Sequence, residues 1–167
     1  MKKILLILIP FIINATTLEQ MYQNAGPGLG YERLILLEKD SVYTGGITID
    51  SVSVGIKGNG AIIDLAGDSI SVNGNVVFDM DACVIKGGYA GLVLRGDATS
   101  KISHCTFYGN QFGVLCDGHT GMIEMVNSII SNSLEYGFAC CEETARKLHY
   151  IDMYQNGQGD YVEWCPG

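Results

Sequence analysis

The sequence predicts an all-β protein built as a solenoid of stacked coils. From residue 53 to residue 164 one phrase recurs, a large apolar residue followed three positions later by Asn or Gly. Its five copies begin at Ile56, Ile85, Phe107, Ile129 and Met153, so successive copies are 29, 22, 22 and 24 residues apart. Self-similarity at a period of about 20 to 50 residues marks a stacked-repeat architecture. No copy contains an apolar run long enough for a helix, so helical repeats fit poorly.

The fourth position of the phrase predicts a tight turn and a structural ladder. It holds Asn59, Gly88, Asn110, Asn132 and Asn156. Asn and Gly both tolerate the left-handed backbone of such a turn. Coils that stack at about 4.8 Å would place these side chains above one another. We therefore expect the four asparagines to hydrogen-bond from coil to coil, as amides do in cross-β stacks.

This pattern resembles the right-handed parallel β-helix, the pectin-lyase-like superfold with short β-helix repeats. Residues 102–115 are similar to a near-ideal copy of that repeat. The resemblance implies a short, single-stranded right-handed parallel β-helix of about five coils, counted from Leu34. It implies little about activity, because one fold hosts many unrelated functions.

The first fifteen residues predict a signal peptide. Met1-Lys2-Lys3 is a positively charged head, residues 4–13 are apolar, and Ala15 is a small residue suited to cleavage. The apolar run is too short to span a bilayer of about 30 Å. We expect the protein to be secreted, periplasmic or at the cell surface, with no membrane span once residues 1–15 are removed.

Residues 16–33 predict an N-terminal cap, and residues 34–167 predict the β-helix. Residues 17–25 form an amphipathic pattern that Thr16 or Thr17 can cap, with Glu19 or Gln20 three residues on. The Gly-Pro-Gly at 26–28 ends the helix. Strands are expected at 34–37 and within 42–49, whereas residues 68–74 are expected to form a longer polar excursion.

The charge and cysteine content limit the expected partners and bonds. A formal net charge of −8 without a basic patch argues against a nucleic-acid partner. Cys116 and Cys140 fall in one inward column, where we interpret them as small buried apolar residues. Cys141 and Cys165 point outward one coil apart, so they are the disulfide candidate. None of the cysteines has a metal-site spacing with a histidine, and we predict no cofactor.

Stacking of the turns predicts one cluster of charged side chains. It places Arg95 over Asp117 and Asp97 over His119. The next coil adds Glu142 and Glu143. Carboxylates in this arrangement can bind Ca²⁺ and an acidic sugar, or supply an acid and a base. The binding candidates are Asp97, Asp117, Glu142 and Glu143, and the catalytic candidates are Arg95, Asp117, His119 and Glu143.

A solvated polar turn on an acidic protein is the plainer interpretation of this cluster. Asp79 and Asp81 form a second acidic pair, one residue apart, which we interpret as solvent-facing.

Three functions remain open from the sequence. The first is an exported, non-catalytic module that binds an extracellular polysaccharide or another surface component on a flat strand face. The second is a small or degenerate polysaccharide lyase or glycoside hydrolase that uses the turn cluster. The third is a structural fragment that stacks end-on with itself or a partner through an uncapped C-terminal coil. The first is favoured, because the Asn-Thr-Asp, Asp-Asp and Arg-Ile-Lys phrases of enzymes with this fold are missing.

Overall fold

The computed structural model describes residues 16–140 and 144–162. These residues contain one helix, α1 (Leu18–Asn24), near the N-terminal side of a strand-rich chain. The strands of the described residues are β1 (Arg33–Leu36), β2 (Val42–Thr44), β3 (Ile47–Ile49), β4 (Val54–Val72), β5 (Val77–Gly96), β6 (Thr99–Ser103), β7 (Thr106–Tyr108), β8 (Phe112–His119), β9 (Met122–Ser131), β10 (Tyr136–Cys140), β11 (Ala145–Tyr154) and β12 (Gly159–Tyr161).

The strands pair in parallel with the coil before and the coil after, and this builds a three-faced solenoid of about five turns. The first face comprises β1, β6 and parts of β4, β5, β9 and β11. The second comprises β2, β7 and further parts of β4, β5, β9 and β11. The third comprises β3, β8, β10, β12 and the ends of β4 and β5. The predicted stack of about five parallel coils is confirmed.

The core is made of files, by which we mean residues at equivalent positions of successive coils. On the first face Ile35, Ile56, Met80, Ile102 and Met125 are successive Cα partners. All five are buried. Side chains alternate across a strand, so the residues beside each inward file point to solvent. Each face of the solenoid therefore carries its own outward files on either side of its inward files.

Helix α1 forms as the sequence predicts. The Thr17 hydroxyl accepts a hydrogen bond from the Gln20 amide, and the Gln20 side chain accepts one from the Thr17 amide, which completes a capping box. Leu18 and Tyr22 are buried against the first coils, and Met21 packs beside them. No helix of the described residues is long and apolar enough to cross a membrane. The predicted signal peptide, residues 1–15, lies outside the described residues.

The predicted asparagine ladder is wrong by one residue at Asn132. Phe107 pairs with Ile130 rather than with Ile129, so the position equivalent to Asn110 is Ser133. Asn132 occupies the preceding turn position with φ 56°, where the earlier coil has Gly109 with φ 62°. Both positions suit Asn, and for this reason the sequence did not distinguish them.

The ladder prediction is also wrong for Asn59. Ile56 pairs with Met80 on the first face, whereas Ile85 and Phe107 lie on the second. Asn59 therefore turns a different corner, at φ 52°, and its amide donates to the Leu37 carbonyl at 2.9 Å. Two corners of the coil use the same left-handed turn chemistry, and this made them look like one repeat.

Asn110 and Asn156 do share one file, but they bond to backbone instead of to each other. Asn110 Oδ1 accepts from the Gly88 amide at 2.9 Å, and its Nδ2 donates to the Ile85 carbonyl at 3.2 Å. Asn156 makes the equivalent pair of bonds to the coil before it. Its Oδ1 accepts from the Ser133 amide, and its Nδ2 donates to the Ile130 carbonyl. Each side chain therefore ties its own turn to the preceding coil.

The predicted polar excursion at 68–74 is wrong. Strand β4 continues to Val72, and its last residues pair with the next coil, with Ile70 opposite Leu92. Ile70 and Val72 are buried, so this segment is the first regular strand of the third face after β3. Its many small polar residues occupy the outward positions.

The cysteine interpretation is wrong for the inward column. Cys116 and Cys140 are Cα partners 4.3 Å apart and form a disulfide. Cys83 and Cys105 are buried free thiols. A hydrogen bond with the Cys105 thiol, together with burial, raises the pKa of Cys83. The predicted Cys141–Cys165 disulfide and the end of the C-terminal coil fall on residues 141–143 and 163–167, outside the described residues.

Candidate functional site

The predicted turn cluster is assembled only in part. Arg95 Nε lies 2.9 Å from Asp117 Oδ2, as stacking of the two turns predicts. Both side chains are largely exposed, at 43% and 59%, so solvent screens the pair. Glu142 and Glu143 lie outside the described residues. The described part of this cluster is therefore an exposed ion pair on the rim of the third face.

His119 does not stack on Asp97, which corrects the sequence prediction. A register irregularity after Leu94 pairs His119 with Gly96. The imidazole is fully buried, and its Nε2 donates to the Ala98 carbonyl at 2.9 Å. Asp97 instead accepts a hydrogen bond from the Thr120 hydroxyl. The buried His119 cannot share a substrate with the exposed Asp117, so the turn loses its candidate base.

A different cluster, which includes the half-buried acidic pair Asp79 and Asp81, lies on the first face. We call it the charged face: Tyr31, Lys57, Asp79, Asp81, Lys101, Ser103 and His104. Asp81 is its centre. Its carboxylate lies 3.3 Å from Lys57 Nζ, accepts from Ser103 Oγ at 2.7 Å and lies 3.0 Å from His104 Nδ1.

These partners determine the ionisation of Asp81. Partial burial alone would raise the pKa of Asp81, but hydrogen bonds from Ser103 and His104 and the nearby Lys57 ammonium lower it overall. His104 Nδ1 faces the carboxylate, and Asn127 Nδ2 lies 3.4 Å from Nε2. If Nδ1 carries the proton, Nε2 is the atom that can accept one.

Asp79 anchors the other half of the charged face. The Tyr31 hydroxyl donates to Asp79 Oδ2 at 2.5 Å, and the Lys101 amide donates to Oδ1 at 2.9 Å. Burial, the hydrogen bond and the negative charge of Asp79 raise the pKa of Tyr31 to about 12. A cavity of about 130 Å³ lies between these side chains. Both carboxylates bond to groups from other parts of the stack, so the cluster holds coils together.

The sequence contained a usable indication of the charged face. Lys57, Asp81 and His104 are separated by 24 and 23 residues, close to one coil. Asp79 and Lys101 are 22 residues apart. No short motif joins residues of three coils, so the sequence alone predicted Asp79 and Asp81 only as a solvent-facing pair. Among residues 16–140 and 144–162, no group of three or more His, Cys, Asp or Glu is placed to hold a metal ion.

The second face presents two tyrosines in one outward file. Tyr108 and Tyr154 are both Cα partners of Ser131. They are 50% and 43% exposed, whereas Ser131 between them is only 2% exposed. The next residue of this file toward the N-terminus is Lys86, which pairs with Asp64 at 3.1 Å.

A file of mostly apolar side chains runs beside the tyrosines. It consists of Val42, Ile62, Val84, Thr106 and Ile129, and it continues beyond Ile129 to the exposed Asp152. Val42 and Ile129 are exposed, and the other three are half-buried. We call the two files together the tyrosine face. The sequence predicted a flat binding face but did not identify its residues. The phrases Phe107-Tyr108 and Met153-Tyr154 indicated the tyrosine file.

Parallel stacked coils, inward apolar files and short corners define the class of β-solenoid proteins. The model of one protein family, described as right handed beta helix region, matches residues 37–162. This match covers about three quarters of the chain, so the chain belongs to the right-handed β-helix family and the predicted fold is confirmed. Searches of curated proteins and of solved structures found no match to this chain.

Proposed function

We propose that the chain is an exported, non-catalytic β-helix module that binds carbohydrate through the tyrosine face. One observation carries the proposal: Tyr108 and Tyr154 are exposed in one file, and a mostly apolar, partly exposed file runs beside them. A contiguous apolar and aromatic surface on a soluble protein usually marks an interaction site. Tyrosine suits sugars because its ring packs on C–H groups while its hydroxyl forms hydrogen bonds.

The charged side chains of this face lie toward its two ends, with Lys86 and Asp64 at one end and Asp152, the Cα partner of Ile129, at the other. Lys86 and Asp64 neutralise each other at 3.1 Å at one end of the tyrosine file. The centre of the face, at Tyr108, Ser131 and Ile129, carries no charged side chain. A neutral polyhydroxylated ligand can therefore cover the centre without removing an ion from water.

Two features support export. The positive head and apolar run of residues 1–13 match the pattern of a secretory signal. Structural disulfides such as Cys116–Cys140 persist in oxidising compartments outside the cytosol. Mass measurement of the protein purified from its host tests this part. A mature chain that starts near residue 16 is expected, and an intact leader on cytosolic protein would contradict it.

The carbohydrate proposal is tested with a panel of neutral and acidic glycans, each with and without Ca²⁺. We expect at least one glycan to bind without being cleaved. We expect Tyr108→Ala to weaken that binding. Absence of binding to the whole panel by folded protein would overturn the proposal, and release of unsaturated or reducing-end products would replace it with an enzyme.

A second candidate function is a small polysaccharide-processing enzyme. The observation that favours it is the 3.0 Å contact between His104 Nδ1 and Asp81, made by an imidazole side chain that is 61% exposed. A carboxylate that orients a histidine is one arrangement for a general base. In this candidate His104 takes the role of the base that was predicted for His119 of the turn cluster, because His119 is buried. It requires product formation that His104→Gln abolishes while the Arg95→Ala variant, on another face, remains active.

A further inference from the structure

We infer that the ligand of the tyrosine face is an extended, neutral, ribbon-like β-glycan that lies parallel to the solenoid axis. This inference rests on the proposed function and specifies its ligand. In such a ribbon every second sugar presents the same face, and the sugars between them present the opposite face. Along the tyrosine file the residues alternate in the same way, because the buried Ser131 lies between the exposed Tyr108 and Tyr154.

The spacing of the two tyrosines carries the inference. Tyr108 and Tyr154 are separated by two strand spacings, because each is the parallel partner of Ser131. Two spacings amount to about 9.6 Å along the axis. Two sugar residues of an extended β-glycan span nearly the same length. Tyr108 can therefore stack on one sugar while Tyr154 stacks on the sugar two positions further along the glycan.

The surface between the rings fits the intervening sugar. Ser131 is 2% exposed, so it is small and lies below the level of the two rings. The intervening sugar can cross this position without meeting a protruding side chain. Thr106 and Ile129, in the neighbouring file, offer a hydroxyl and an apolar surface along the edge of the ribbon. Asp152, the next residue of this file, adds an exposed carboxylate that can accept a hydrogen bond from a sugar hydroxyl. A straight ligand thus contacts both files at once.

Charge and shape exclude other glycans from this site. The chain carries a formal net charge of −8, and the cation of this file, Lys86, is already paired with Asp64. An anionic glycan would meet repulsion without a free counter-charge on the face. A glycan that coils as a helix diverges from a straight file and reaches only one tyrosine. The matched ligand is therefore both neutral and straight.

Calorimetric titration with three defined glucose oligomers tests the inference. Cellohexaose is neutral, straight and long enough to cover both rings. Cellobiose is too short to stack on both, and maltohexaose has the same composition but coils. We expect cellohexaose to bind at least about tenfold more tightly than either, because engaging the second ring is an intramolecular step.

Substitutions locate the binding to the file. Tyr108→Ala and Tyr154→Ala are each expected to weaken cellohexaose binding about tenfold, which corresponds to about 1.4 kcal/mol. The matched Tyr→Phe variants keep the ring and are expected to retain most of the affinity. Tyr150→Ala is the control, because Tyr150 is 85% exposed but lies at a corner, outside the tyrosine face. Circular dichroism verifies that every variant is folded.

The possible results separate this inference from the proposed function. Equal binding of cellohexaose and maltohexaose would overturn the inference and leave carbohydrate binding by the tyrosine face intact. Binding that neither Tyr→Ala variant weakens would overturn the inference and also the placement of carbohydrate binding on the tyrosine face. Binding to other glycans of the panel but not to cellohexaose would also overturn the inference and leave carbohydrate binding intact. Absence of binding to cellohexaose and to every glycan of the panel would overturn both.

Discussion

Asn110 shows how one side chain can join two coils. It is completely buried, and its amide satisfies a backbone donor at Gly88 and a backbone acceptor at Ile85. Buried backbone groups without partners are costly, so at this turn the asparagine supplies partners that the strand ladder does not provide. Asn156 repeats the arrangement two coils later.

Asn110→Ala is therefore expected to destabilise the fold strongly. Two buried backbone groups lose their partners, and each costs about 1–3 kcal/mol. We expect the free energy of unfolding in urea to fall by about 3 kcal/mol. Asn75→Ala, at an exposed position, is the control and should change the free energy by less than about 0.5 kcal/mol. Equal effects of the two substitutions would contradict this role of Asn110.

Asp81 makes part of the stability depend on pH. Its pKa in the folded protein lies below the ordinary value of 3.8, so the folded state favours the ionised carboxylate. The resulting stabilisation is present above pH 3.8 and is lost as the pH falls through the lowered pKa. The groups that face the carboxylate are Lys57, Ser103 and His104.

Asp81→Asn should consequently flatten the acid side of the stability curve. Unfolding free energies measured from about pH 6 to about pH 2 should fall less steeply in this variant than in the wild type. Asp50→Asn removes an exposed carboxylate that has no ion pair or hydrogen bond to any described residue, and controls for the loss of one charge. An unchanged slope in Asp81→Asn would refute the assignment.

At the scale of elements, the sequence revealed the repeat but not its register. The period of about 22 to 24 residues correctly predicted the strands that contain Ile85, Phe107 and Met153. It failed at Ile129, because Ile130 is equally apolar and Asn132 fits either turn position. A strand register is specified by which face is buried, and two adjacent isoleucines leave that choice open.

The Cys116–Cys140 disulfide fastens neighbouring strands β8 and β10 on the third face. It closes a loop of 24 residues, which stabilises a folded domain by about 3 kcal/mol through the entropy of the unfolded chain. We expect the Cys116→Ala, Cys140→Ala double variant to lose about this much stability under oxidising conditions.

Thiol labelling tests the bond directly. In unreduced protein that has been unfolded in urea, Cys83 and Cys105 should react with an alkylating reagent, whereas Cys116 and Cys140 should not. Peptide mapping by mass spectrometry should recover Cys116 and Cys140 in one linked pair of peptides. Full alkylation of both residues would show that the bond is absent and that the earlier interpretation as buried apolar side chains is correct.

At the scale of the whole molecule, sequence reasoning predicted the fold well and the site poorly. The repeat is local in sequence, so composition and period are enough to identify stacked coils. A site on a solenoid is assembled across coils, as Lys57, Asp81 and His104 are. An error of one residue in register moves a side chain to the opposite side of the strand, so sites demand an accuracy that the period alone does not give.

The composition of the files on the second face depends on the pairing of Phe107 with Ile130. Nuclear Overhauser effects in solution test it most directly, because they report side chains in contact. We predict contacts from the Ile130 methyl groups to the Phe107 ring and to Met153, with Ile129 contacting Thr106 instead. Contacts between Ile129 and the Phe107 ring, or no contact of this ring with either isoleucine, would contradict the account.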